Sequence, residues 1–423
     1  MTTNYRTDHV LARADAFRPE DIGRLNDILD GKGLGRPLGD PASSQGPLIR
    51  IPVHDKKDPM AIQAAVQAEI TAAGPDGGLP ALMANPVSEA GTLAKGDVFT
   101  ADGKKSGHGM GWVPAPLGEM PDAPSWDPAG PHPVIALLDS GVQPHPWFSG
   151  LIHFPIAVDL DVLDPDGAAG PPPAPEAAGP PFLLDADGMD NWHSPIPADN
   201  PALHPFPPGT HWGHGTFIAG LLRQAAPHAK VLSMRVMDSM GQVDDRAVVH
   251  ALTWLYQTTA IRADVVLMAF GRQAAKHDPI LADVRDAMAK LAGQGVKVVA
   301  SAGNDASDKR VYPAAFAEDL GPNVFSVGAV IEADKPAPFS NFGPWVKAGW
   351  LGTDIVSISP QTFENSGDNQ TDLSVFANPP TVIFKDSFAW WSGTSFAAAI
   401  TAGRLASGIA PTKMPLPHDS AHP

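Results

Sequence analysis

A wholly apolar run closed by a carboxylate, VIALLD at 134–139, constrains this chain more than any other stretch. A strand without polar positions cannot lie on a half-wet sheet; it must be covered on both faces. The same texture returns in AKVLSMRVM (229–237), ADVVLMAFG (263–271), VKVVASAGN (296–304) and NVFSVGAV (323–330). Helical runs separate them: HGTFIAGLLRQAA from His214, Asp245 to Gln257 with Val248, Val249, Leu252 and Leu255, and Pro279 to Ala292. Strands alternating with helices predict an α/β fold, a doubly wound and mostly parallel sheet flanked by helices. In such sheets a ligand sits at the carboxyl ends of the strands.

Upstream the pattern is weaker. Residues 1–45 carry one helical candidate, Arg18 to Leu29, with Pro19 near its start and Gly31 past its end. PLIRIPV (47–53) reads as a strand, and Asp58-Pro59 opens a helix with Ile62, Val66 and Ile70 at four-residue spacing. Residues 74–131 are rich in glycine and proline and read as a linker. The expected organisation is a small N-terminal α/β extension (1–130), a main domain (131–412) and a tail (413–423). The main domain carries a proline-rich surface insertion at about 160–205, marked by DPDGAAGPPPAPEAAGPP.

Composition narrows the function classes. Lys and Arg total 29 against 46 Asp and Glu, a net charge of −17, which argues against a nucleic-acid surface and against anionic membranes. With 0 cysteines, neither a disulfide, a thiolate nucleophile nor a Cys-type zinc site can form. The first residues, MTTNYRTDHVLARADAF, show neither a basic start nor an apolar core of a signal peptide, and no apolar run reaches the ~18 residues of a membrane span. The expectation is a cytoplasmic protein.

Three polar groups fall where the sheet rule puts reactive residues. Asp139 ends the first apolar strand, His214 opens one helix and Ser395 opens another, in SGTSFAAA. A serine hydroxyl is a weak nucleophile and needs a base, which a neutral imidazole supplies near pH 7. The imidazole in turn needs an anion on its other nitrogen to fix the tautomer and stabilise the imidazolium. Asn304, just past a strand in VVASAGND, offers a side-chain amide to a developing oxyanion.

The chain resembles the subtilisin-like serine peptidases, the subtilases, from about Val134 to Gly408. Its motifs are DSG at Asp139, HGTxxAG at 214–220, AGN at 302–304 and SGTSxAA at 392–398, in that order. The resemblance implies that Asp139, His214 and Ser395 form the catalytic triad and that Asn304 shares the oxyanion with the Ser395 backbone N–H. It also implies that a peptide adds as a strand between Ala269-Phe270-Gly271 and Met240-Gly241-Gln242. Ser301-Ala302-Gly303 would form the other wall of the primary specificity pocket. Those walls are small and uncharged, which predicts an apolar residue before the scissile bond. Two positions depart from the family: Ala399 stands where proline follows GTSxAA, and Ala269 replaces a common serine.

Other polar clusters carry less. Asp185, Asp187 and Asp190, around Gly188, are compatible with a Ca²⁺ loop, and a solvated acidic loop is the favoured account; Asp159, Asp161, Asp164 and Asp166 read the same way. Subtilases often bind calcium, so a structural ion stays open while no cofactor is required. His211 reads as a loop residue, His132 and His145 as surface residues, and Trp390-Trp391 as packing beside the site. The extension resembles part of a folding-assisting, inhibitory prodomain, with a purely structural extension as the equal alternative. The expected function is a serine endopeptidase acting on a peptide or protein substrate. A restricted role follows, maturing a co-produced peptide or acting with a regulatory protein partner; a catalytically silent peptide-binding protein is the alternative.

Overall fold

The computed structural model describes residues 4–41, 48–73, 78–89, 113–114, 122–125, 132–142, 145–148, 152–153, 213–237, 241–259, 261–274, 278–332, 335–359 and 388–414. The N-terminal module comprises β1 (Asn4–Arg13), α1 (Asp21–Gly31), β2 (Leu48–Pro52), α2 (Pro59–Ala73) and β3 (Leu82–Glu89). After a two-residue strand β4 (Val113–Pro114) come β5 (Val134–Asp139), β6 (Ile152–His153), α3 (His214–Ala225) and β7 (Lys230–Arg235). There follow β8 (Gln242–Asp244), α4 (Asp245–Gln257), β9 (Val265–Met268), β10 (Arg272–Gln273), α5 (Pro279–Gly293), β11 (Lys297–Ser301) and β12 (Val311–Tyr312). The last elements are β13 (Val324–Glu332), β14 (Lys335–Pro336), β15 (Ala348–Leu351), β16 (Ile355–Ile358), β17 (Phe388–Trp391) and α6 (Thr394–Ala406).

The central sheet has the order β14-β13-β11-β9-β5-β7-β6, with β15 also on β13. Every pairing in it is parallel except β13 with β14. Successive residues of one strand serve opposite cores, as a period of two requires. Ala136 and Leu138 of β5 join Val266, Met268, Leu252 and Leu291 beneath α4 and α5. Ile135 and Leu137 join Val265, Leu267, Phe217 and Ala398 beneath α3 and α6. Chain order reverses beside β5: β5 leads to β7 on one side, and β7 leads back across to β9 on the other. The crevice beyond β5 and β9 is therefore the topological switch point.

Helices α3 and α6 pack closely because their contact residues are small. A Cβ added to Gly403 of α6 would lie 2.6 Å from the Ala225 Cβ of α3. Ala399 is fully buried inside an unbroken α6, so alanine in place of the family's proline leaves that helix continuous through this turn.

The expected helix from Arg18 starts three residues later, at Asp21, whose carboxylate accepts from the Arg18 N–H at 2.8 Å. The linker assigned to 74–131 also needs correction, since it contains β3 and β4, and β1 lies in a region where only a helix was legible. While β4 pairs with β17, β1 and β3 join an antiparallel sheet β2-β1-β3-β8, whose last member belongs to the main domain. They escape a periodicity test because both faces are covered. Val10, Ala12, Ile51 and Leu82 face α1 and α2 together with Leu25, Leu29, Ile62 and Val66. The alternate residues Leu11, Leu48 and Met83 join the cluster of α4 and α5.

The α3–α6 contact gives a direct test. Gly403→Leu should destabilise the protein by about 1–3 kcal/mol through overpacking, read as a lower denaturant midpoint at unchanged m-value.

Candidate active site

Asp139 is the last residue of β5 and is fully buried. Its backbone carbonyl accepts from Val236 N at 3.0 Å, and its Oδ1 accepts from Ser140 N at 2.7 Å, which fixes the carboxylate. His214, the first residue of α3, places Nδ1 at 2.9 Å from Oδ1 and 3.0 Å from Oδ2. An Nδ1–H shared by both oxygens leaves Nε2 as the basic nitrogen of the neutral ring. The Ser140 hydroxyl accepts from Gly215 N at 3.1 Å and ties the strand end to the helix start. Only glycine fits at 215, since a Cβ there would lie 2.2 Å from the Gly141 carbonyl oxygen. The aromatic rings of Trp391 and Phe396 stand 5.4 and 5.6 Å from the imidazole and shield it.

Ser395 lies in the first turn of α6, and its Oγ donates to the Ala269 carbonyl at 3.1 Å. Across from it Asn304 is held by one atom. Its Oδ1 accepts from both Thr394 N and Thr394 Oγ1 at 2.9 Å. The Thr394 hydroxyl in turn accepts from Gly303 N at 3.1 Å. With Oδ1 engaged, the Nδ2 donor is left on the side of Gly393, 3.5 Å from where a Cβ of that glycine would sit. An amide so fixed presents N–H groups beside the α6 N-terminus, where backbone donors also point.

One supporting residue was not legible in the sequence. Asn341, fully buried, donates from Nδ2 to the Ala302 carbonyl at 2.8 Å and accepts at Oδ1 from Asp305 N (3.0 Å) and Ser307 N (3.1 Å). Its backbone N–H donates to the Gly303 carbonyl at 2.9 Å. It clamps both flanks of Asn304. In the sequence Asn341 is one amide in a loop, and no local signal points to its partners.

The remaining residues singled out in the sequence gather at the same sheet edge. Ala269 and Phe270 are buried just beyond β9, Ser301 and Ala302 at the end of β11, while Gly271 and Gly303 are partly exposed between the two. Gly241 enters β8 with φ of 81°, a left-handed conformation natural only to glycine; Met240 lies outside the described residues. Arg272 Nε donates to Asp245 Oδ2 at 2.8 Å, and its Nη1 meets Asp278 at 2.5 Å. This buried ion triad ties the 269–271 segment to the start of α4. Asp159, Asp161, Asp164, Asp166, Asp185, Asp187, Asp190 and His211 lie outside the described residues. Among the described residues no cluster of three or more His, Asp or Glu side chains could hold a metal ion.

This constellation sits on a fold and motif order that define a subtilisin-like serine peptidase scaffold. The description "Subtilase family" matches residues 130–411, two thirds of the sequence, and the chain belongs to that family. The minor extracellular protease Epr of Bacillus subtilis (strain 168) is 33% identical over 175 residues, 39% of this chain and 25% of that protein. The thermophilic serine proteinase of Bacillus sp. (strain AK1) is 28% identical over 230 residues, 52% of this chain and 45% of the relative. The chain thus spans less than half the length of these curated relatives. Fervidolysin from Fervidobacterium pennivorans, described as a keratinolytic enzyme related to subtilisin, superposes with a TM-score of 0.54 at 16% identity. That match covers 95% of this chain and 54% of fervidolysin, and it extends the likeness in fold to the N-terminal module.

His145 departs from the surface position expected of it. It is buried, its Nδ1 accepts from Trp147 N at 3.2 Å, and the rings of Trp147, Phe148 and Phe388 surround it edge-on. Burial pushes its pKa from 6.5 down to about 4. The unfolded chain therefore binds a proton that the folded protein refuses between those values. Stability is intact above pH 6.5 and is lost as pH falls toward 4, by ~3 kcal/mol at most. His145→Asn, whose Oδ1 can replace the Nδ1 acceptor, should flatten the stability slope between pH 6.5 and 5 in denaturant titrations.

Proposed function

We propose that this chain is a serine endopeptidase in which Ser395 is the nucleophile, His214 the general base and acid, Asp139 its orienting anion, and Asn304 an oxyanion donor with the Ser395 N–H. The observation that carries this reading is the two-oxygen contact of Asp139 on His214 Nδ1, at the sheet edge that also holds Ser395 and Asn304. Ser395 Oγ bonds to the substrate carbonyl carbon while its proton passes to His214 Nε2. Collapse of the tetrahedral intermediate breaks the C–N bond, and the same proton goes to the leaving amine. Water then repeats the sequence on the acyl ester, with His214 again as base, and restores the serine. Removing the side-chain oxyanion donor costs ~10²–10³ in turnover in comparable sites.

The N-terminal module regulates this site in our reading. Val87, Ser88 and Glu89 of β3 pair antiparallel with Asp244, Val243 and Gln242 of β8, so that Glu89 lies on Gln242, the last residue of the 240–242 segment assigned to substrate. A peptide that adds as a strand along 240–242 meets β3 at Gln242. Such a guard supports a restricted substrate set, peptide or proprotein maturation, rather than general degradation.

A fluorophosphonate probe tests the first reading. Wild-type protein should label stoichiometrically and Ser395→Ala should not; a wild type that stays unlabelled means a catalytically silent protein. The regulatory reading predicts that Leu48→Asp, which buries a charge between the module and α4, raises cleavage of an extended peptide at least ~10-fold. Hydrolysis of a single-residue ester, which needs no strand edge, should be unchanged by it.

A further inference from the structure

The segment Ala269-Phe270-Gly271 is held at both ends. At its start the Ala269 carbonyl accepts from Ser395 Oγ at 3.1 Å. Just past its end stands Arg272, which opens β10 and is buried. Its Nε donates to Asp245 Oδ2 at 2.8 Å, and its Nη2 lies 2.7 Å from the same oxygen. On the other side Nη1 meets Asp278 Oδ2 at 2.5 Å. Asp245 directly follows β8 and opens α4; Asp278 caps α5, where its Oδ1 accepts from Leu281 N at 3.3 Å. One guanidinium therefore joins the two segments that flank the proposed substrate strand and fastens them to two helix starts.

Stability alone does not call for such a triad. A buried ion pair adds little over apolar residues of the same volume, because desolvation offsets the attraction. What it adds is direction: a planar guanidinium fork meets carboxylates at fixed angles, whereas an apolar contact can slide. The backbone that carries the fork is itself fixed, since Arg272 pairs with Tyr312 and Gln273 with Val311 in the β10–β12 ladder. All three charged side chains are buried, so none of them is open to a charged substrate. In the sequence Arg272 is a cation beside a small-walled segment, and no local pattern links it to Asp245, 27 positions earlier.

We propose that Arg272 is a positioning residue for the peptide: through Asp245 and Asp278 it fixes the spacing between Gly241-Gln242 and 269–271. That spacing sets how much the enzyme gains from substrate residues upstream of the scissile bond. This rests on the peptidase reading above and on strand addition between those two segments. A strand inserted between two edges must hydrogen-bond to both at once, each at ~2.9 Å. If one edge drifts, the peptide loses a ladder, and its scissile carbonyl shifts against Ser395, whose Oγ is tied to the same segment through Ala269. A misplacement of about 1 Å can cost ~10²-fold in rate. A substrate too short to reach both edges is indifferent to their spacing.

The test uses the full-length protein, with and without Leu48→Asp so that β3 does not set the result. The substrates are the p-nitrophenyl esters of N-acetyl-alanine and N-acetyl-tetra-alanine, with the Ser395→Ala rate subtracted. The readout is the tetra-alanine to alanine ratio of kcat/KM, which a purely structural role leaves unmoved because both esters share one site and one leaving group. Wild type should show a ratio of at least ~10. Arg272→Met should lower that ratio at least ~5-fold, with Arg272→Lys, which keeps the charge but not the fork, between the two. Combining Arg272→Met with Asp245→Asn and Asp278→Asn leaves no unpaired buried ion; this triple variant should fold and still lack the gain. If Arg272→Met alone fails to fold, the triple variant and Arg272→Lys decide. Protein that labels with a fluorophosphonate but gains nothing from the added residues, or a triple variant with the wild-type ratio, overturns the role of Arg272 and leaves the peptidase reading standing. Protein that neither labels nor turns over either ester overturns the peptidase reading, and this proposal with it.

Discussion

The requirement that β5, β9 and β11 be covered on both faces governs the rest of this structure. A strand such as Val134–Asp139 can be dry on both sides only if helices lie above and below it. Parallel crossovers supply those helices and, by the same geometry, send every strand toward one edge. Asp139, Ala269 and Ser301 thus come to the same end of the sheet, although they are far apart in the chain. The two helices that begin there, α3 and α6, bring His214 and Ser395 with them. Their close approach depends on small residues such as Gly403 and Ala225.

The site adds a polar layer to that apolar frame. Buried polar groups must be hydrogen-bonded, and here the partners also fix direction. Asp139 holds Nδ1 of His214, Thr394 holds Oδ1 of Asn304, and Asn341 holds the backbone on both sides of Asn304. Each bond removes an alternative orientation of a group proposed to act on the substrate. Catalysis by preorganised donors requires that restriction, since no reorganisation is then left for the reaction step.

The N-terminal module joins the main domain by the same combination of main-chain pairing and packing. Its sheet has one face on α1 and α2, the other on α4 and α5, and its last partner is β8 of the main domain. The backbone N–H of Leu48 meets His250 Nε2 at 3.4 Å and its carbonyl accepts from Arg246 Nε at 3.2 Å, so the docking is polar as well as apolar.

The sequence by itself determined the parallel sheet, the order of its helices, and the residues Asp139, His214, Asn304 and Ser395, because each lies where a local pattern changes: the end of an apolar run or the start of a helix. Only the tertiary structure decided what depends on distant partners. Strands β1 and β3 show no alternation since both faces are buried, and His145 is buried only because Trp147, Phe148 and Phe388 close around it. Asn341 holds a loop that precedes it in the chain, through contacts that no spacing encodes. Local periodicity reports which face a residue must bury, and only the folded chain decides what that face then meets.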